Sequence, residues 1–250
     1  MGKEERIIHK RKREGARFIL SLQLGLLQRA LAPWPRRATR LLEINCADGA
    51  YLPFLWHSGF EITATEANAR LREEAQSHEL DTDIRAASDD DLPFEDDFFD
   101  WAILHILPRA DVRLEDSVQE CLRIARRGLL FSFWNSSSLP ALCWRLGHRQ
   151  PWPPNALALH KVWSCVRNLH LGDMSVMSTL GAPFFSWREK RFLKRLNSAF
   201  YFLPLGAWCL IRLDLGKPKL VTPLRLRLEN IMAQAMPAME YVERKYSRKQ

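Results

Sequence analysis

Apolar and polar residues recur along this chain with two different periods, and the points where one period gives way to the other mark its elements. Over residues 3–31 the positions Phe18, Leu22, Leu26 and Leu27 fall near helical spacing, which predicts an amphipathic helix ended by Pro33 and Pro35. Arg40–Ile44 is a short apolar run, and the small polar cluster Asn45, Cys46, Ala47, Asp48, Gly49 interrupts it. Tyr51–His57 then turns helical, and Glu61–Thr65 reads as a second strand that stops at Glu66. A strand, a turn of small residues, a helix and a strand ending in an acid make half of a nucleotide-binding α/β fold. Such a turn leaves backbone N–H groups at the helix start for an anionic or polar ligand, and a carboxylate at position 66 can accept both hydroxyls of a ribose.

The alternation continues downstream. Ala67–Leu80 reads as a helix, Asp83–Ala86 as a third strand, 88–94 as an acidic loop, and Phe99-Asp100 followed by Trp101–Leu107 as a fully buried parallel strand. His105 closes that strand, at the end where open α/β sheets bind their ligands. It can take a proton from a substrate nucleophile as a catalytic base, or serve as a hydrogen-bonded wall. Arg113–Arg126 reads as a helix ended by Gly128, and Leu129–Trp134 as the fifth strand. Asn135 and Ser136–Ser138 follow, placed to bond substrate or to cap the next helix. Leu139–Pro154 lacks clean periodicity. Its Trp144, Arg145, His148, Arg149 and Trp152 suit a substrate-covering insertion that either stacks on nucleobases or closes over an apolar small molecule. Ala156–Leu171 reads as a helix, Met174–Thr179 as a strand, Trp187–Ala199 as a helix, Trp208–Leu213 as the last strand, and Leu224–Tyr246 as a helix interrupted at Pro237.

The run E43-I-N-C-A-D-G49 resembles the E/D-x-G-x-G-x-G turn of class I S-adenosylmethionine-dependent methyltransferases, and L92-P-F94 resembles the triplet before the fourth strand of their type 11 group. The resemblance covers roughly residues 38–215. It implies a Rossmann-like seven-stranded sheet with helices on both faces, here with N- and C-terminal helical extensions, and S-adenosylmethionine as cofactor. It carries the cofactor-binding role to Glu43, Asn45, Cys46, Ala47 and Gly49 in the turn and to Glu66 for the ribose. Ser88, Asp89 and Leu92 then face the adenine, and His105 lies near the transferred methyl group. Two of the family's glycines are replaced. Asn45 tolerates positive φ, whereas the methyl group of Ala47 projects where backbone usually approaches the ligand. The implied division is a basic N-terminal helix over 1–37, a methyltransferase-like domain over 38–215 with its insertion at 139–172, and a basic C-terminal helical tail over 216–250.

Charge adds partners to consider. The net charge is +8, and residues 1–40 hold eleven Lys or Arg against three Glu, a difference equal to the whole excess. Residues 217–250 hold eight bases against three acids, while 81–100 carry nine acids against Arg85. Basic ends can meet nucleic acid or an anionic membrane surface, or simply form solvated helix faces. Five dispersed cysteines with no C-x-x-C pair argue against a disulfide framework and a zinc site, and fit a reducing, cytoplasmic compartment. The basic start, Phe18–Leu27 and Ala30-Leu31-Ala32 imitate a secretory leader, but Gln23 and Glu14 interrupt the pattern. The leading expectation is methyl transfer to a small or apolar molecule, through in-line displacement that needs proximity and orientation more than acid–base chemistry. The other readings are a methyltransferase fold reduced to a binding or scaffold module, and an RNA-associated or peripheral membrane methyltransferase.

Overall fold

The computed structural model describes residues 3–107, 112–147, 155–169, 172–183, 186–187, 191–198 and 203–215. The helix expected over Leu224–Tyr246 lies outside them, as do His148, Arg149 and Trp152 of the expected insertion. The fold is α/β, a central sheet flanked by helices, and its strands follow the order β3-β2-β1-β4-β5-β8-β7, with a short β6 pairing to β5. The seven-stranded path expected from the sequence is therefore present, with β6 added. The chain forms two compact units, and β5 runs from one into the other at Leu130.

The first unit holds β1 (Arg40–Ile44), α2 (Leu52–His57), β2 (Glu61–Thr65), α3 (Ala69–Gln76), β3 (Asp83–Arg85), β4 (Phe99–His105), α4 (Leu114–Ile124) and the start of β5 (Ala125–Asn135). Strands β1 and β2 have the bounds that their apolar runs predict. Both neighbours of β1 are parallel to it, with Ile44 opposite Thr65 on one side and Leu104 on the other. That register brings Asn45, Glu66 and His105 to one edge of the sheet, just past the strand ends. Leu41, Leu42, Ile44 and Ala64 are fully buried, so the edge rests on a packed core. Pro53 opens α2, where its missing N–H costs nothing. Asn68 caps α3 by accepting from the amides of Arg70 and Leu71 at 3.0 and 3.3 Å.

One boundary is corrected. The helix expected to run to Arg126 and stop at Gly128 ends at Ile124, and β5 begins at Ala125, with Gly128 inside the strand. The reason is tertiary. Asp100, nearly buried on β4, accepts from Arg126 at 2.7 Å and from Arg127 at 2.9 Å, which holds both arginines extended along β5.

The second unit holds α1 (Lys3–Leu31), the end of β5, α5 (Leu139–Gly147), β6 (Ala156–Leu157), α6 (Leu159–Leu169), β7 (Asp173–Thr179), α7 (Arg191–Ser198) and most of β8 (Trp208–Asp214). The predicted stripe of α1 is its core face, since Phe18, Leu22, Leu26 and Leu27 are all buried and the helix packs on β7 and α7. Arg212 donates to the carbonyl of Ala30 at 3.2 Å and so satisfies the last turn of that helix. The stretch after β5 contains a helix, α5, which the sequence pattern does not reveal. Ser138 starts it by accepting from the amide of Ala141 at 3.2 Å. The expected helix over Ala156–Leu171 opens instead with β6, whose Ala156 pairs with Trp134. Gly206 follows from close packing, because a Cβ there would meet the carbonyl oxygen of Thr179 at 2.2 Å.

Candidate cofactor site and active site

The turn after β1 is built on three left-handed residues. Asn45, Ala47 and Gly49 have φ of 59°, 51° and 75°, so each position of the resembled glycine pattern keeps a glycine-like backbone although two of the side chains differ. Gly49 is also sterically required, since a Cβ there would lie 2.9 Å from Leu52 and 3.0 Å from Ala75. The turn's amides are largely used within the chain. Cys46 N–H donates to the carbonyl of Thr65 at 3.0 Å, Gly49 N–H to that of Cys46 at 2.9 Å, and Leu52 N–H to that of Gly49 at 3.0 Å. The helix start is thus less open to an anion than the sequence suggests.

Glu66 sits beside that turn, 5% exposed, with Oε2 accepting the amide of Ala47 and Oε1 the amide of Asn68, each at 2.9 Å. These bonds fix the carboxylate's direction. Each carboxylate oxygen accepts more than one hydrogen bond, so the group retains capacity for ligand hydroxyls. Arg72 donates to the carbonyl of Glu66 at 2.8 Å and holds the strand end from behind.

Glu43 is fully buried on β1. Its Oε1 pairs with Nε2 of His105 at 2.9 Å, while Oε2 has no hydrogen-bond partner among the described residues. The ring of Tyr51 stacks on His105 with centroids 5.0 Å apart. Burial, and then the charges of Glu43 and Asp48, push the Tyr51 phenol well above its ordinary value, so it stays protonated. The Cys46 thiol is likewise pushed up, by burial first and then by Glu43 and Glu66, which keeps it neutral and not a nucleophile.

Asn45 joins these groups to the acidic loop. Its Nδ2 donates to the carbonyl of His105 at 3.0 Å and to Oδ2 of Asp89 at 3.2 Å, and Ser117 donates to the same Asp89 oxygen at 3.2 Å. Glu43, His105, Asn45 and Asp89 therefore form one hydrogen-bonded chain. The hydroxyl of Ser88 donates to Asp90 within the loop. Leu92 is buried, and its amide donates to Glu120 at 3.1 Å. The sequence reading overlooks Tyr51, Ser117, Glu120 and Arg123. Tyr51 adjoins the turn and could have been flagged by proximity, whereas the other three reach partners about 30 residues away that no local pattern links.

These groups suit a polar nucleoside ligand: a partnerless buried carboxylate oxygen on Glu43, an oriented carboxylate on Glu66, and a turn kept bare at Gly49. A family described as "Methyltransferase domain" matches residues 42–133. The malonyl-[acyl-carrier protein] O-methyltransferase of Enterobacter lignolyticus is 28% identical over 158 residues, covering 60% of each chain. That of Pseudescherichia vulneris is 24% identical, covering 66% of this chain and 60% of its own. The chain thus spans about 60% of the length of these curated relatives. Among solved structures, a SAM-dependent methyltransferase from Thermotoga maritima superposes with a TM-score of 0.60 at 16% identity, covering 85% of this chain and 98% of the other. No helix among the described residues is long and apolar enough to cross a membrane.

Proposed function

We propose, from the premise that this chain belongs to the class I S-adenosylmethionine-dependent methyltransferase superfamily, that it transfers a methyl group from S-adenosylmethionine to a small or apolar molecule. The observation that carries the reading is the turn. Asn45, Ala47 and Gly49 keep left-handed backbone at alternate positions, and the Ala47 amide ties that turn to the Glu66 carboxylate. The replaced glycines have left the backbone path intact, which favours a working site over a module that only keeps the fold.

S-adenosylmethionine, when bound, supplies an electrophilic methyl group on a sulfonium sulfur. In the proposed site Glu66 accepts the ribose hydroxyls and Glu43, Asn45, Cys46, Ala47 and Gly49 bound the methionine moiety. Ser88, Asp89 and Leu92 line the adenine side, with residues 38–215 acting as the catalytic domain. His105, fixed by Glu43 and covered on one face by Tyr51, orients the acceptor or takes its proton. A small-molecule acceptor is supported by the name of the curated relatives, whose stated substrate is malonyl attached to a carrier protein.

Calorimetric titration with S-adenosylmethionine and S-adenosylhomocysteine tests the reading. We expect micromolar binding, weakened at least about tenfold in Glu66→Gln, which keeps the residue's shape but loses charge-assisted acceptance. Absence of binding to both compounds would overturn the proposal and return the non-catalytic binding module. Binding that Glu66→Gln leaves unchanged would remove Glu66 from the site.

A further inference from the structure

One face of α4 holds the acidic loop at successive points. Ser117, Glu120 and Arg123 stand three residues apart and form a single row. Ser117 Oγ donates to Asp89 Oδ2 at 3.2 Å, and Glu120 Oε2 accepts the Leu92 amide at 3.1 Å. Arg123 donates to the carbonyls of Leu92 at 3.1 Å and Phe94 at 2.7 Å, and to the Asp96 carboxylate at 2.9 Å. It also grips Glu120 through both oxygens at 2.9 and 2.7 Å, and its own carbonyl accepts the amide of Asp97 at 2.9 Å. The loop is therefore registered on the helix from 89 to 97.

Val118, Cys121 and Ile124 anchor the same helix in the core and are fully buried. The polar row thus rests on a rigid support. At the far end of the loop, Asp89 accepts from Asn45 of the cofactor turn, so the bonds run from helix to loop to turn. Arginine suits the central place because its planar fork offers five donors in fixed directions, where lysine presents a single mobile point charge.

We propose that Ser117, Glu120 and Arg123 are positioning residues that set the 88–97 loop against the turn and so give the cofactor site its selectivity for the adenine base. The inference rests on the proposed cofactor. None of the three touches the ligand. They act through Asp89 and the backbone around Leu92, and releasing them changes which base is preferred more than whether the chain folds.

The test compares calorimetric affinities for S-adenosylhomocysteine and for its inosine counterpart, in which a carbonyl replaces the base's amino group. The unaltered chain should prefer the adenine form by about tenfold or more, the scale of one hydrogen bond to a charged or well-placed acceptor. Arg123→Lys and Ser117→Ala should each bring that ratio to within about threefold of unity, with faster amide exchange at Leu92 and Asp97 in the arginine variant. Arg113→Ala, which removes an exposed pair with Asp116 on the same helix, is the control and should leave the ratio unchanged. A uniform loss of both affinities marks a merely structural role and overturns the inference, as does an unchanged ratio once exchange shows the loop released. In either case binding by the unaltered chain leaves the proposed function standing, whereas no binding by it removes both. Should Arg123→Lys fail to fold, the ratio in Ser117→Ala decides alone.

Discussion

The amide of Ala47 donates to Oε2 of Glu66 at 2.9 Å while Ala47 itself holds a φ of 51°. An L-residue with a Cβ pays about 1–2 kcal/mol for that backbone region, and glycine does not. Ala47→Gly keeps the amide and its bond, relieves the strain, and gives part of the gain back as unfolded-chain entropy. We expect a net stabilisation of about 0.5–1 kcal/mol in urea titration with an unchanged slope. Cofactor affinity should be equal or better. A clear loss of affinity would mean that the site has adapted around the methyl group.

The same substitution two residues earlier should act in the opposite direction. Asn45 also has a left-handed backbone, but its Nδ2 donates both to Asp89 and to the carbonyl of His105. Asn45→Gly loses both bonds and weakens the link between turn and loop. The expected cost is about 1–2 kcal/mol, because Asp89 is a buried acceptor. Chemical denaturation of the two glycine variants side by side decides the matter, and equal behaviour would contradict the assigned bonds.

How far these arrangements could be read from the sequence depends on the range of the interactions behind them. Strands β1 and β2 and the place of Glu66 are set locally, by apolar runs that stop at small or acidic residues, and their bounds agree with the expectation. The start of β5 was not legible, since Arg126 reads as the end of a helix until Asp100, 26 residues away, holds it and its neighbour Arg127 in a strand. Helix α5 was hidden for a different reason. Its Leu139, Leu142 and Leu146 fall at helical spacing but are exposed instead of forming a core stripe, and Pro140, Trp144 and Arg145 among them obscure the pattern. In the site, Glu43, Asn45, Asp89 and His105 were each named from sequence. Their joining into one chain of bonds was not legible, because it depends on the parallel register of β1 and β4.

Glu43 and His105 are energetically bound to each other. The carboxylate is fully buried, one oxygen relies on His105, and the other has no hydrogen-bond partner among the described residues. His105→Ala removes that one partner and leaves a buried charge uncompensated, which costs about 3 kcal/mol or more. Glu43→Gln retains a side-chain oxygen or amide for the imidazole and should cost about 1 kcal/mol. Thermal unfolding of both variants gives the comparison, and a His105→Ala protein as stable as Glu43→Gln would show that the pair contributes little.

The acidic loop should respond to pH through Glu120. Its carboxyl is held below the ordinary glutamate range, first by the hydrogen bond from Arg123, against the opposing effect of burial, with help from the Leu92 amide and the Arg123 charge and a smaller opposition from Asp90. A group whose folded pKa is depressed stabilises the fold above its unfolded value, near 4.3 for glutamate, and loses that contribution as pH falls through the folded value. Glu120→Gln should therefore be less stable than the unaltered chain at pH 6–7, with the difference constant down to about pH 5 and shrinking below about pH 4. Asp116, paired with Arg113, titrates in the same direction but is present in both proteins, so the difference isolates Glu120. Urea titrations of the pair at half-unit pH steps give the curve. A difference that stays flat to pH 3 would show that the Glu120 side chain holds the loop by shape and not by charge.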